Sequence, residues 1–221
     1  RLVTIYFDTV DTAGHDFGPG DPRTTAAIHD IDGSIGQLTS GLKARKINAD
    51  LVIVADHGMA ATASDRTIAI DQLAAPTLYR LIEHGPYAAL APTAGNDDAL
   101  WAALSRPAPH HQCWRKADVP AQLHYGHNDR VPPIICLAQP GWLLEPTSPA
   151  TRFTGGEHGY APEDSDMAAL FIGHGPSFAR GKSIAPFDNV AVAPLLRRLL
   201  GLPERSDLDG TAQPFAKVLK P

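Results

Sequence analysis

The sequence predicts a single α/β domain with a mainly parallel sheet flanked by helices. Short, continuous apolar runs such as residues 51–55 are typical of strands that are buried on both faces, as the strands of a parallel sheet are. Apolar residues spaced three and four apart over residues 28–42 indicate a long amphipathic helix. Strand-like and helix-like segments alternate along 221 residues, a length that suits one good-sized domain.

The elements are expected in the following order. The chain opens within a strand at 2–7, and a polar loop rich in glycine and proline follows at 8–22. The long helix then begins with Asp21 as its N-cap and Pro22 in its first turn. Further strands are predicted at 51–55, 67–70, 87–91, 134–138 and 167–172, and further helices at 96–104 and 190–200.

Composition excludes several classes of protein. The chain carries 19 basic and 24 acidic side chains, a net charge of −5, which argues against binding to a nucleic-acid polymer. No apolar run approaches the ~20 residues of a membrane span, so no transmembrane segment is expected. The chain has only 2 cysteines but 10 histidines, which points to a metal site of nitrogen and oxygen ligands and excludes a disulfide scaffold.

Three polar clusters lie beside the predicted strands, where ligands bind in open α/β sheets. Each offers an imidazole, a carboxylate or both, which are ligands that suit zinc. The candidate ligands are Asp11 with His15, Asp56 with His57, and His158. Five ligands are too many for one tetrahedral zinc ion, so they suggest two ions that lack one further ligand.

Ordinary structural roles remain open for these residues and for the cysteines. An aspartate at a strand end is often a helix cap or a turn residue, and a single loop histidine is usually solvated. Cys113 and Cys136 would pair only if their strands are neighbours and the compartment is oxidising; the sequence favours two buried thiols that act as small apolar side chains.

The three clusters together resemble the nucleotide pyrophosphatase/phosphodiesterase family of the alkaline phosphatase superfamily. The matching motifs are DTAGHDFGP from Asp11, VADHGM from Val54 and GEHGY from Gly156. The resemblance implies an alkaline-phosphatase-like fold and two Zn²⁺ ions in one site. By motif, Asp11, His15 and His158 hold one ion, Asp56 and His57 hold the other, and Tyr6 stacks on the nucleotide base.

The family's nucleophile, a threonine or serine, and one further aspartate ligand lie upstream of the strand that opens this chain. No catalytic residue is therefore assigned within the chain. We expect residues 1–221 to be the C-terminal portion of a type I phosphodiesterase/nucleotide pyrophosphatase catalytic domain. Its partner would be the N-terminal half of the same domain, and the chain alone would be inactive.

The resemblance implies a hydrolase that cleaves phosphodiester or pyrophosphate bonds of nucleotides, or of another small phosphodiester, and releases nucleoside monophosphate. It also implies a periplasmic or secreted protein. Two alternatives remain: a non-catalytic fragment that binds metal or nucleotide, and another hydrolase of the superfamily such as a phosphonoacetate hydrolase.

Overall fold

The computed structural model describes residues 1–220, which divide into two compact units. The first unit contains residues 1–7, 32–56 and the chain from 169 onward; the second contains 8–31 and 57–168. That both units belong to one domain stays a prediction.

The helices are α1 (Thr9–Phe17), α2 (Pro22–Ala44), α3 (Ile70–Leu73), α4 (Asp97–Leu104) and α5 (Val192–Leu199). The strands are β1 (Leu51–Val54), β2 (Ala60–Ala63), β3 (Thr67–Ala69), β4 (Tyr79–Glu83), β5 (Tyr87–Pro92), β6 (His111–Arg115), β7 (Ile134–Ala138), β8 (Leu143–Glu145), β9 (Thr154–Glu157) and β10 (Phe171–His174).

The second unit is built on a four-stranded antiparallel sheet in the order β4-β5-β7-β6, accompanied by the pairs β2-β9 and β3-β8. Its core packs apolar side chains of the sheet, such as Leu90 and Ile134, against Leu100 and Leu104 of α4. The burial of these side chains is the main favourable term for this unit. The pair β2-β9 carries the loops in which the candidate site forms.

The prediction of a mainly parallel sheet is wrong for this chain. Within residues 1–220 only the β3-β8 pair is parallel, and every other pair is antiparallel. The connection from β4 to β5 is too short for the crossover that parallel neighbours need, so these strands form a hairpin. Strands such as β1 are half-buried, although their sequences are continuously apolar.

The first unit joins β1 and β10 as an antiparallel pair. Its core lies around Phe215 and Leu195, which are fully buried, and Phe171 of β10 packs its ring against Phe215. The Asp50 carboxylate accepts hydrogen bonds from the backbone N–H of Ser177 (2.9 Å) and from its hydroxyl (2.7 Å). These contacts hold the chain after α2 to the segment that follows β10.

Helix α2 begins as the sequence predicts. The backbone N–H of Arg23 donates to Oδ1 of Asp21 (2.8 Å), which makes Asp21 the N-cap. The buried Thr24 hydroxyl lies 3.0 Å from the carbonyl oxygen of Ala13 and 2.8 Å from that of Gly18. The first turn of α2 therefore fixes the position of α1.

Two expectations about the start of the chain are wrong. No residue of 2–7 joins a β-ladder among the residues the structure describes, because no second strand is placed to complete its hydrogen bonds. Residues 9–17, expected within a loop, form α1 instead.

The strand predicted at 167–172 begins later in the structure. A short 3-10 turn occupies Ser165–Met167, and β10 begins at Phe171.

Cys113 and Cys136 form a disulfide, so the expectation of two separate thiols is wrong. The two residues lie directly opposite each other in the antiparallel pair of β6 and β7. This register brings together cysteines that are 23 residues apart in sequence.

No helix within residues 1–220 has the length and apolar character that crossing a membrane requires.

Candidate metal centre

Helix α1 supplies Asp11 and His15. The two residues are one helical turn apart, so both side chains project from one face of the helix. The Nε2 atom of His15 lies 3.5 Å from Oδ1 of Asp11. Both side chains are about one-third exposed, so the face they share is open to a ligand.

The strand pair β2-β9 supplies the other two histidines. Ala60 pairs with Glu157 at one end of this antiparallel ladder. His57 lies just before the first strand and His158 just after the second, so the two residues emerge at the same end of the pair. Their imidazole rings stack with centroids 3.4 Å apart and an angle of 13° between their planes.

These elements converge on one carboxylate oxygen. Oδ1 of Asp11 lies 3.9 Å from Nε2 of His57 and 3.7 Å from Nε2 of His158, in addition to its approach to His15. Asp11, His57 and His158 form a group whose ligand atoms all lie within 4.8 Å of one another. Two ligand atoms bound to one ion at about 2.1 Å in tetrahedral geometry stand about 3.4 Å apart, so the separations of 3.5 and 3.7 Å from His15 and His158 suit a shared ion better than direct hydrogen bonds.

The buried Oδ1 atom of Asp11 has no hydrogen-bond partner in the structure. A buried carboxylate oxygen without a partner is costly, and the usual solutions are a hydrogen bond, an ion pair or a metal ion. The donor set of one carboxylate and imidazole nitrogens is typical of zinc sites in proteins. The residues present therefore fit a bound cation.

The tautomers of two histidines follow from their hydrogen bonds. Nδ1 of His15 lies 2.9 Å from the carbonyl oxygen of Gly156, and Nδ1 of His57 lies 2.9 Å from that of Gly58. Because a carbonyl oxygen only accepts, Nδ1 must carry the proton in both rings. In the neutral ring, Nε2 then presents its lone pair toward Asp11, which is the arrangement that a metal ligand needs.

Glycine allows α1 and β9 to approach this closely. Gly156 is buried, and a Cβ atom at this position would lie 2.8 Å from Cγ of Met59 and would also collide with the carbonyl oxygen of Gly14 in α1. Gly159 has φ of 105°, a conformation that turns the chain directly after His158 and that other residues rarely adopt.

The structure thus brings together Asp11, His15, His57 and His158. Asp56 and Tyr6 belong to the other compact unit. The backbone carbonyl of Asp56 accepts a hydrogen bond from the side-chain amide of Asn189 (2.9 Å), and Tyr6 is 81% exposed. The division of the ligands between two ions and the role of Tyr6 stay predictions.

Sequence reasoning gave no role to Glu157. Its Oε2 atom lies 3.4 Å from Nδ1 of His15. Burial raises the pKa of the Glu157 carboxyl above its ordinary value, while the nearby His15 opposes that rise. The residue stands beside His158 in sequence, but its contact with His15 depends on the packing of α1 on β9, which no local pattern revealed.

A model of the family described as type I phosphodiesterase / nucleotide pyrophosphatase matches residues 1–161. Human ectonucleotide pyrophosphatase/phosphodiesterase family member 5 is 36% identical over 205 residues, which cover 91% of this chain and 43% of the relative. Bis(5'-adenosyl)-triphosphatase ENPP4 of Bos taurus is 33% identical over 204 residues, which cover 91% of this chain and 44% of that protein. The chain therefore spans less than half the length of these two curated relatives.

A solved structure has a closely similar fold. It is that of murine ectonucleotide pyrophosphatase/phosphodiesterase 5, described as an inactive threonine-to-alanine variant in complex with AMP. The TM-score is 0.88 at 32% sequence identity, and the match covers 95% of this chain and 56% of the other. At this identity and TM-score, the mixed α/β fold is shared with that alkaline-phosphatase-like structure.

Proposed function

Since the chain belongs to the type I phosphodiesterase / nucleotide pyrophosphatase family, we propose that it supplies the metal-binding part of a zinc-dependent hydrolase. The enzyme cleaves phosphodiester or pyrophosphate bonds of nucleotides and releases nucleoside monophosphate. A nucleotide substrate is supported by the relative named bis(5'-adenosyl)-triphosphatase ENPP4 and by the AMP complex of the murine structure.

One observation carries this proposal. The buried Oδ1 of Asp11 has no hydrogen-bond partner and is surrounded by the Nε2 atoms of three histidines at 3.5–3.9 Å. Two of these rings are held by carbonyl oxygens in the tautomer that exposes the Nε2 lone pair. A group of electron-pair donors that face one another is arranged for a cation rather than for hydrogen bonds with one another.

Each ligand has an assigned place in the proposal. Asp11, His15 and His158 hold one Zn²⁺, and Asp56 and His57 hold the second together with an aspartate from outside residues 1–221. When bound, the two ions supply Lewis-acid stabilisation of the charge on the phosphoryl oxygens. The chain's own contribution is to orient the imidazoles through the backbone of Gly58 and Gly156.

We assign the nucleophile to a threonine or serine outside residues 1–221, in an N-terminal half that completes the domain. The segment 2–7 exposes Leu2, Val3, Ile5, Tyr6 and Phe7, a run of apolar side chains that suits contact with such a half. Tyr6 then stacks on the nucleotide base. The Cys113–Cys136 disulfide supports a periplasmic or secreted location, because disulfides persist in oxidising compartments.

The test measures zinc content and hydrolysis of the p-nitrophenyl ester of thymidine 5'-monophosphate in a protein that joins this chain to its N-terminal half. We expect His57→Ala and Asp11→Ala each to remove most turnover while the circular dichroism spectrum is retained, since the fold rests on the apolar core. Near-normal turnover of either variant at saturating zinc contradicts the proposal.

Two further measurements separate the alternatives. Preferential hydrolysis of phosphonoacetate would identify a different hydrolase of the superfamily. Zinc and AMP binding with no hydrolysis by the joined protein would identify a non-catalytic binding protein.

Residues 1–221 alone should bind zinc but show no turnover above that of free zinc, since in this proposal the nucleophile lies outside them.

A further inference from the structure

Helix α1 places the imidazole of His15 against the end of β9, where two acceptors face it. Nδ1 lies 2.9 Å from the carbonyl oxygen of Gly156 and 3.4 Å from Oε2 of Glu157. Nδ1 donates its proton to the carbonyl oxygen of Gly156, and the Glu157 carboxylate lies beside the same nitrogen. The opposite nitrogen, Nε2, faces Asp11 at 3.5 Å.

The Glu157 carboxylate is partly buried, which removes part of its hydration and is unfavourable for its charged form. Its side chain is only 37% exposed. Within residues 1–220, the compensating contact that the structure gives this carboxylate is the imidazole of His15. A carboxylate close to the far nitrogen of a metal-binding histidine favours the tautomer with its proton on that nitrogen and strengthens the ring as a ligand.

We propose that Glu157 is a positioning residue for His15. It acts with the carbonyl group of Gly156 to hold the proton on Nδ1 and to aim Nε2 at the cation beside Asp11. The inference rests on the proposed function in one respect, the role of His15 as a metal ligand. Glu157 is outside the ligand group of Asp11, His57 and His158 found among the described residues, and its Oε2 atom approaches Nδ1 rather than Nε2 of His15.

The experiment compares Glu157→Leu, Glu157→Gln and the control Glu145→Gln in the full chain. Glu145 is a neighbouring carboxylate whose partner is His84 (3.3 Å), so its replacement removes one nearby negative charge without touching His15. Zinc affinity is measured by competition with a chromogenic chelator. The tautomer of His15 in the metal-free protein is read from ¹H–¹⁵N NMR of the ring nitrogens.

We expect Glu157→Leu to lower zinc affinity by about 10- to 100-fold, the usual effect of losing such a partner. The fraction of His15 that carries its proton on Nδ1 should fall in the same variant. Glu157→Gln, whose amide oxygen can still accept, should retain the tautomer and lose less affinity. Glu145→Gln should leave both readouts near those of the unmodified chain.

An unchanged His15 tautomer in Glu157→Leu overturns the proposal, whatever the zinc result. An equal loss of zinc affinity in Glu145→Gln also overturns it, because the effect would then come from net charge. If the unmodified chain binds no zinc, the proposed function fails. The NMR comparison in the metal-free protein then still decides whether Glu157 positions the ring.

Discussion

Replacing Gly156 by alanine tests whether the close packing of α1 on β9 builds the metal centre. The added methyl group would lie 2.5 Å from the carbonyl oxygen of Gly14 and 2.8 Å from Cγ of Met59. The side chain of Met59 can rotate, but the Gly14 oxygen belongs to α1 and accepts a hydrogen bond from Gly18 (2.9 Å). The helix must therefore move away from the strand, at a cost of about 1–3 kcal/mol for an overpacked site.

For a chain of this size each kcal/mol corresponds to a change in Tm of about 2–4 °C, so the melting temperature of metal-free Gly156→Ala should fall by about 2–12 °C. Zinc affinity should fall at least about tenfold, because His15 loses its carbonyl partner. The matched control is Gly36→Ala in α2, where an added methyl group meets nothing within 4 Å. This control should be stabilised by up to about 1 kcal/mol. Unchanged melting and zinc affinity in Gly156→Ala would refute the reasoning.

Two further predictions concern other parts of the second unit. Reduction of the Cys113–Cys136 disulfide should lower the free energy of unfolding by about 3 kcal/mol, as expected for a sequence separation of 23 residues. A urea midpoint that is the same with and without reductant would contradict this prediction. Burial raises the pKa of the Tyr160 phenol, so the folded protein keeps a proton that the unfolded chain loses. The free energy of unfolding should therefore fall as pH rises above about 10, and less steeply in Tyr160→Phe, as measured by urea unfolding at a series of pH values.

Local sequence patterns predicted those elements whose signal is itself local. The apolar run of β1, the helical spacing of α2 and its Asp21 cap are present in the structure. The candidate ligands were also recognisable, because carboxylate and imidazole pairs beside glycine form a short motif. Helix α1 was missed since its polar residues and Gly14 resemble a loop, although the spacing of Asp11 and His15 by one helical turn was a usable signal.

Long-range pairing could not be predicted in the same way. The disulfide depends on the register that sets Cys113 opposite Cys136, and the antiparallel pairing depends on which strands become neighbours. The grouping of His57 with Asp11 and His158 likewise follows from the ladder of β2 and β9. Continuous apolar runs indicated burial in a parallel sheet, but a hairpin strand with both faces covered by other elements has the same sequence signature.

Asp11→Asn should separate the metal-binding role of Asp11 from any role in stability. In the metal-free protein the buried Oδ1 atom and the Nε2 lone pairs of His15 and His57 are all acceptors that face one another. An asparagine amide can donate to one of these nitrogens, whereas alanine adds no donor. Without metal, the Asp11→Asn variant should therefore have a free energy of unfolding about 0.5–1.5 kcal/mol higher than that of Asp11→Ala, which is the usual net value of one hydrogen bond. This order is expected although alanine is the better helix former. Zinc at 100 times its Kd should stabilise the unmodified chain by about 2.7 kcal/mol and both variants by much less. An alanine variant at least as stable as the asparagine variant would show that these acceptors do not oppose one another without the ion.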